Sequence, residues 1–220
     1  AKHVIISAPG KDEMKTVVYG VNENILSKDD EIISSASCTT NCLAPVLKII
    51  EDSIGIESGF MSTIHAYTND QNTLDGSHKK GIKSRRGRTA ASNIIPTSTG
   101  AAKSIGVVIP TLSGKMDGVA YRVPVIDGSM VDVTLTLNRA TSVDEINDLF
   151  RNNMNEVLDF TMDPVVSSDV IGSTCGALVD GLSTKVLDVN KKQVKIVAWY
   201  DNEYGYTSQM IRVMDKLLKL

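Results

Sequence analysis

The sequence has little of what defines several large protein classes. Three cysteines in 220 residues, an odd number without framework spacing, favour a reducing compartment and predict a cytoplasmic protein. A formal net charge of −3 gives no general attraction to nucleic acid or to anionic membranes. No apolar run approaches the roughly 20 residues that span a bilayer, and the opening residues lack the pattern of a signal peptide. These absences predict a protein without nucleic-acid or membrane partners.

Two further absences concern bound groups. Cys38 and Cys42 lie four residues apart, but zinc needs about two more ligands and no histidine has ligand spacing, so no metal site is predicted. No G-x-G-x-x-G occurs, so the chain lacks the turn by which a βαβ unit holds a dinucleotide. The composition, 42% hydrophobic and 22% charged, is that of an ordinary globular protein with a real core.

The most informative stretch is SASCTTNCLAPVLKII, residues 35–50. Its apolar residues recur at helical spacing, which places Cys38 on the first turn of a helix with Ser37 as the N-cap. The unpaired amides and the helix dipole of that turn favour a thiolate over a thiol. Cys38 is therefore a candidate nucleophile. Most free cysteines are small buried hydrophobes, and the local sequence alone leaves both interpretations open.

Apolar patterns along the chain predict a mixture of strands and helices. Strands are predicted at 4–7, 16–21, 31–37, 56–68, 117–125, 129–139 and 193–201, and helices at 38–55, 100–109, 142–157 and 205–220. The segment 69–93 is predicted to be a long functional loop, and the stretch before the last strand to be irregular. The predicted fold class of residues 38–200 is α+β, a largely antiparallel sheet with helices on one face.

Four further motifs follow SASCTTNC along the chain. They are STIHAYTNDQ (62–71), NIIPTSTGAAK (93–103), YRVPV (121–125) and WYDNEYGY (199–206). In this order the five motifs resemble the signatures of the phosphorylating glyceraldehyde-3-phosphate dehydrogenases, over essentially the whole chain. The resemblance begins partway through that family's chain, so we expect a C-terminal fragment that lacks the glycine-rich nucleotide-binding half.

The resemblance implies three regions. Residues 1–37 correspond to remnant strands of a Rossmann-type dinucleotide-binding domain, and residues 38–204 to the catalytic, substrate-binding domain. Residues 205–220 correspond to a C-terminal helix that packs on the absent nucleotide-binding domain. We expect such a fragment to bind the cofactor too weakly for hydride transfer, because most of the binding contacts lie outside it.

The family's chemistry gives roles to two residues. Cys38 is the expected nucleophile, since a thiolate adds to an aldehyde and leaves readily from the resulting thioester. His65 matches the family's catalytic histidine: as imidazole it takes the thiol proton, and as imidazolium it stabilises the thiolate.

Two phosphate sites are implied as well. By resemblance Thr68, Asp70 and Arg122 belong to the site for the substrate's phosphate. The site for inorganic phosphate is assigned to Ser37, Thr39, Arg86, Thr99 and Gly100. Three arginines in the basic run KKGIKSRRGR (79–88), Arg85, Arg86 and Arg88, are all candidates for the inward-facing position.

The cofactor implied by the resemblance is NAD. Asn202 and Tyr206 match the residues that orient the nicotinamide. Where strictly NAD-dependent members carry a Leu-Pro pair, this chain has Gly76 and Ser77, and the Ser77 hydroxyl could donate to a 2′-phosphate. NADP therefore stays an alternative cofactor.

The sequence is compatible with three functions. The first is oxidation of glyceraldehyde 3-phosphate, with NAD and inorganic phosphate, to 1,3-bisphosphoglycerate in glycolysis. The second is the sister reaction on erythrose 4-phosphate. The third is a binding or structural module, for instance a basic-loop RNA binder, although residues 79–88 carry six positive charges and no aromatic residue that could stack on a base.

The resemblance also implies a homotetramer. The strand at 129–139 alternates apolar with polar residues, and its apolar set is Val131, Val133, Leu135 and Leu137. We expect this chain to leave that face uncovered and to self-associate through it.

Overall fold

An eight-stranded mixed sheet lies at the centre of the fold. The computed structural model describes residues 1–11, 14–74 and 76–220. The strands are β1 (Val4–Ile6), β2 (Ile32–Ser34), β3 (Ile56–Ala66), β4 (Ile95–Ser98), β5 (Met116–Val123), β6 (Ser129–Leu137), β7 (Leu158–Thr161), β8 (Ala177–Asp180), β9 (Lys185–Leu187) and β10 (Asn190–Tyr200). The α-helices are α1 (Cys38–Ser53), α2 (Ala101–Val108), α3 (Val143–Asn152) and α4 (Tyr204–Leu218).

The large sheet has the order β4-β5-β3-β6-β10-β8-β7, with β9 also paired to β10. Five of its strand pairs are antiparallel, and two, β3 with β5 and β7 with β8, are parallel. The predicted α+β class with a mostly antiparallel sheet is confirmed. Although β5 and β6 are consecutive in the chain, they are not neighbours, because β3 lies between them and carries His65 into the middle of the sheet.

The core lies between this sheet and its helices. Val131, Val133, Leu135 and Leu137 of β6 are fully buried and share one cluster with apolar residues of α1, α2 and α3. The alternation predicted for β6 is therefore confirmed. The expectation that its apolar face is left uncovered is wrong, because the chain's own helices cover that face.

The helix that carries Cys38 begins and ends where its sequence predicts. Ser37 Oγ accepts the backbone N–H of Thr40 at 3.1 Å, which caps the first turn. Pro45 lies inside the helix and is buried. Gly55 follows the last turn with a φ of +85°, a left-handed conformation that favours glycine.

Three predictions of secondary structure are wrong. Residues 16–21 are not a strand: only Thr16 bridges Ser34, and the Asn22 side chain then accepts the N–H of Val18 at 2.8 Å and turns the chain. α3 ends at Asn152 and not near 157, because the Asn155 side chain accepts the N–H groups that lead into β7. The stretch 158–192 holds β7, β8 and β9, which are too short, at three or four residues each, to give a clear pattern.

The first 37 residues pack against the last helix, α4. β1 and β2 form a separate two-stranded parallel sheet. A second apolar cluster joins Val17, Leu26 and Ile33 of this part to Val213 and Leu217 of α4. Within the described ranges, no helix has the length and apolar character needed to cross a membrane.

The turn before β6 depends on a glycine, which gives a stability test. Gly128 has a φ of +82°, and a Cβ there would lie 2.0 Å from the carbonyl oxygen of Ser167. Gly128→Ala should therefore lower the free energy of unfolding by about 2 kcal/mol or more, measured by urea denaturation. Gly114 is the matched control, since its φ is +76° but no described atom lies within 4 Å of the added Cβ. Gly114→Ala should cost about 1 kcal/mol, and equal losses for the two variants would contradict the role of the Ser167 contact.

Candidate active site

Cys38 and His65 meet at the end of β3. The sulfur of Cys38 lies 3.4 Å from Nε2 of His65, and the histidine is 3% exposed. α1 presents Cys38 on its first turn, and the neighbouring strand presents His65, as the two motifs predict. The thiol and the imidazole are therefore within reach of direct proton transfer.

The hydrogen-bond partners of His65 assign its tautomer. Nδ1 lies 2.7 Å from the carbonyl oxygen of Ala66, which can only accept, so Nδ1 carries the proton. Nη1 of Arg122 donates to Ala66 O and to Thr68 Oγ1, both at 2.9 Å, which uses both of its protons. Its 3.1 Å approach to Nδ1 is therefore a close contact and not a hydrogen bond. Nε2 is left as a free acceptor that faces the Cys38 thiol.

Burial opposes the charged form of both groups. Burial, reinforced by the nearby charge of Arg122, lowers the pKa of His65 to about 4. Burial raises the pKa of the Cys38 thiol, although hydrogen bonds from Thr39 and the charge of Arg122 act in the opposite direction. Burial also raises the pKa of Cys175, and it raises that of Cys42 far more. The sequence predicts that the first turn of α1 favours the Cys38 thiolate; the backbone N–H of Thr39 on that turn does lower the pKa of Cys38, but burial raises it by more.

A cavity of about 260 Å³ opens beside this pair. The first turns of α1 and α2 both reach it, and their unpaired amides favour an anion. Of the residues predicted for phosphate binding, those that line it are Ser37, Thr39, Arg86, Thr99, Gly100 and Arg122. Sequence reasoning missed the other lining residues, namely Pro9, Thr63, Ser98, Ala101 and Ala120.

Arg86 is the loop arginine that reaches the cavity. Its Nε donates to Thr97 Oγ1 at 2.8 Å and its Nη2 donates to the carbonyl oxygen of Ser98 at 3.2 Å, which holds the side chain along β4. Arg85 and Arg88 line other surfaces of the same loop. Contacts with β4 therefore distinguish Arg86 from the other two arginines that the sequence left as candidates.

Thr68 and Asp70 lie next to the cavity and do not line it. Thr68 Oγ1 accepts from Arg122 and donates to Asp70 Oδ1 at 2.6 Å. The Asp70 carboxylate is paired with Arg86 and lies 3.7 Å from Nη2 of Arg122. Asp70 thus bridges the two arginines, which holds both guanidinium groups at one side of the cavity.

Tyr200 contacts three residues that line the cavity, and the sequence analysis did not predict this role. Its hydroxyl lies 2.9 Å from Thr39 Oγ1 and 2.8 Å from Thr63 Oγ1, and its ring meets that of His65 edge to face. Thr63 precedes His65 by two residues on the same strand face, a spacing that could have identified it. The partners of Tyr200 are 161 and 137 residues away, which no local pattern signals.

Of the three residues predicted to bind the cofactor, two are linked by hydrogen bonds to the segments that carry Cys38 and His65. The Tyr206 hydroxyl donates to the carbonyl oxygen of Ala36 at 3.2 Å, and burial raises the pKa of Tyr206 to about 12. Asn202 is 5% exposed, and its Oδ1 accepts from Ser129 at 2.6 Å. Its Nδ2 has no partner within the described part of the chain, so the residue fits a ligand that offers an acceptor, such as a carboxamide oxygen.

Ser77 is not brought to the Cys38 cavity. It lines a separate cavity of about 480 Å³ formed by the loop, together with Tyr67, Leu74 and Arg88. Its carbonyl oxygen accepts from Nδ2 of Asn72 at 3.2 Å. Within this chain Ser77 and the Cys38–His65 pair therefore belong to different surfaces.

Comparison with known proteins first defines the class of domain. Residues 37–202 match the family model described as "Glyceraldehyde 3-phosphate dehydrogenase, C-terminal domain". The chain belongs to this glyceraldehyde-3-phosphate dehydrogenase family.

Similar relatives carry the same name. The chain is 51% identical to the glyceraldehyde-3-phosphate dehydrogenase of Streptococcus pyogenes and 52% identical to those of Clostridium acetobutylicum and Clostridium pasteurianum. Each comparison covers 100% of this chain and 66% of the relative. The chain thus spans 66% of the length of the curated relatives that it matches.

Proposed function

We propose that this chain supplies the catalytic domain of a phosphorylating glyceraldehyde-3-phosphate dehydrogenase that uses NAD and inorganic phosphate. The observation that carries the proposal is the 3.4 Å contact between Cys38 Sγ and His65 Nε2, beside a cavity walled by Arg86 and Arg122. A nucleophile and base next to two cations suit a substrate that is both an aldehyde and an anion.

Cys38 and His65 carry the covalent steps. His65 Nε2 takes the thiol proton and passes it to the aldehyde oxygen as the sulfur attacks carbon, which forms a thiohemiacetal. A nicotinamide cofactor, when bound, supplies the acceptor for the hydride. As the hydride leaves, His65 takes the hydroxyl proton back and a thioester remains on Cys38. A phosphate oxygen then attacks the thioester carbon, the C–S bond breaks, and Cys38 regains its proton from His65.

The two arginines divide the phosphates. We assign the substrate's phosphate to Arg122 and Thr68, with Asp70 holding the guanidinium in place. We assign inorganic phosphate to Arg86 with the amides and hydroxyls at the N-termini of α1 and α2. Those residues are Ser37, Thr39, Thr99 and Gly100.

Arg86 gives the test of the phosphorylation step. Arg86→Gln should raise the KM for inorganic phosphate at least about tenfold, because a charged donor to the attacking anion is lost. Arg85→Gln is the matched control: it removes the same charge from an exposed neighbour and should change that KM by less than about twofold. Initial rates of NAD reduction over a phosphate series give both values. Equal effects of the two variants would contradict the assignment of Arg86.

The sister reaction on erythrose 4-phosphate depends less on the inorganic-phosphate site. Arsenate-supported turnover with each aldehyde separates the two candidates. Glyceraldehyde 3-phosphate should be preferred, and Arg86→Gln should reduce its arsenate-supported turnover. A preference for erythrose 4-phosphate that is insensitive to Arg86→Gln would favour the sister enzyme.

The last helix, α4, has exposed apolar residues beside β1. Ile211, Met214 and Leu218 of α4 are 51%, 44% and 66% exposed. With Ile5 of β1 and Lys2 and His3 before it, residues of α4 line a groove of about 370 Å³. We propose that residues 1–37 and 205–220 together form the surface on which a nucleotide-binding domain packs, and that residues 38–204 form the catalytic domain. Asn202 and Tyr206 then hold the nicotinamide end of NAD, and Ser77 leaves NADP open.

Assembly into a homotetramer is also part of the proposal. Because the helices cover the apolar face of β6, we place the contact between copies on the opposite face of the sheet. Phe60 is 72% exposed there, near the ion pair of Asp132 and Lys195 at 2.8 Å. We place the enzyme in the cytoplasm, since Cys38, Cys42 and Cys175 are all free thiols.

A further inference from the structure

Ser129 is a buried serine that the catalytic steps above do not use. It is the first residue of β6 and is 0% exposed. Its Oγ lies 2.6 Å from Oδ1 of Asn202 and accepts the backbone N–H of Ala66 at 3.0 Å. Ser129 therefore joins the residue next to His65 to the asparagine proposed to orient the cofactor.

The hydrogen-bond count at Ser129 determines which way the Asn202 amide points. A serine hydroxyl has one proton, and the Ala66 N–H already occupies an acceptor position of the oxygen. Asn202 Oδ1 is the acceptor that the described residues offer to the Ser129 proton. The second lone pair of the serine oxygen could accept from Nδ2, but such a reversed amide would leave the proton of this fully buried hydroxyl without an acceptor. As a result Oδ1 faces Ser129, and Nδ2 is turned to the other side of the amide.

The Nδ2 group is the part of Asn202 left for a ligand. It is buried and has no partner among the described residues. An unsatisfied buried donor destabilises the fold, so a native structure that keeps one points to an acceptor that arrives with a ligand. If the amide were turned by 180°, its oxygen would face that ligand and would repel a carbonyl.

We propose that Ser129 is a positioning residue which locks Asn202 as a hydrogen-bond donor to the carboxamide oxygen of the nicotinamide cofactor. The inference rests on the proposed function and adds the residue that gives Asn202 its direction. The same hydroxyl is bonded to the peptide of Ala66, whose carbonyl accepts from His65 Nδ1. Ser129 thus ties the cofactor-orienting amide to the strand end that holds the catalytic base.

The test is equilibrium binding without turnover, in the natural full-length protein with its mass verified. Calorimetric titration with NAD and with its thionicotinamide analogue, whose sulfur is a poorer acceptor, gives two dissociation constants and their ratio. Wild type should favour NAD. Ser129→Ala frees the Asn202 amide to rotate, so it should weaken NAD binding about tenfold and bring the ratio of the two constants close to one.

A double-mutant cycle separates positioning from general destabilisation. Asn202→Ala removes the donor, so adding Ser129→Ala to it should cause no further loss of NAD affinity. Asn202→Asp keeps an acceptor for Ser129 but offers no donor to the ligand, and it should weaken NAD binding by at least as much as Ser129→Ala. This variant leaves Ser129 in place, so it tests the proposal even if Ser129→Ala does not fold.

Three outcomes overturn the inference. An unchanged preference for NAD in Ser129→Ala shows that the serine does not set the direction of Asn202. A full additional loss when Ser129→Ala is added to Asn202→Ala shows that Ser129 acts through the fold and not through Asn202. Undiminished NAD binding by Asn202→Asp shows that no donor is needed. Absence of NAD binding in wild type is a separate result that overturns the proposed function together with this inference.

Discussion

Replacing Cys38 by serine is expected to lower kcat/KM for aldehyde oxidation by about 10⁴-fold or more. The hydroxyl is a far weaker nucleophile and a poorer leaving group than the thiol, so both formation and phosphorolysis of the acyl-enzyme are lost. Steady-state NAD reduction with glyceraldehyde 3-phosphate and phosphate measures the effect. The matched control is Cys42→Ser, because Cys42 lies one turn further along α1 and is fully buried. Its thiol takes no part in the chemistry, so kcat/KM should stay within about tenfold of wild type.

Alkylation of the wild-type protein tests the reactivity of Cys38 without turnover. Cys38 lies on the cavity wall and is half-buried, with His65 ready to take its proton, whereas Cys42 is 0% exposed. Iodoacetamide at neutral pH should therefore modify Cys38 first, as peptide mapping can establish. Faster labelling of Cys42 or Cys175, or a Cys38→Ser variant that retains oxidation, would reject Cys38 as the nucleophile.

His65→Gln is expected to lower kcat/KM by about 10²- to 10⁴-fold, the range for loss of a general base. The loss should be large because burial raises the pKa of the Cys38 thiol, so the proton needs an acceptor before the sulfur can attack. The pH profile separates this role from packing. With a pKa of about 4, His65 stays a competent base well below its ordinary value of 6.5. The acid limb of kcat/KM should lie near pH 4, and a limb near 6.5 would contradict the lowered pKa of His65.

The same depressed pKa predicts how stability depends on pH. Between about 6.5 and about 4 the unfolded chain binds a proton at His65 that the folded chain does not, so the free energy of unfolding falls as the pH is lowered through this window. His65→Gln cannot bind that proton. Urea denaturation from pH 7 to pH 4 should show a smaller decline for the variant, and an equal decline in both proteins would reject the pKa of His65 as its cause.

Sequence patterns correctly predicted the elements that depend on residues close together in the chain. The helix at Cys38 has its N-cap, its apolar spacing and its terminal glycine within 18 residues of one another, and it forms where they predict. The alternation of β6 likewise predicted which of its residues are buried. Local patterns failed for residues 16–21 and for β7, β8 and β9. A β-branched run becomes a strand only where a partner strand is available, and strands of three or four residues carry too few side chains to reveal a period.

The residue types of the candidate site were predictable from the motifs alone: a cysteine on a helix N-terminus, a histidine on a strand and arginines for anions, in an order that a known family shares. Contacts between distant segments were needed to show that Arg86 and not Arg85 reaches the cavity, that Tyr200 joins Thr39 to Thr63, and that burial opposes the charged forms of Cys38 and His65. These outcomes depend on contacts between distant segments and on the exclusion of water around them. Burial shifts a pKa and directs a hydrogen bond through neighbours that residue spacing does not specify.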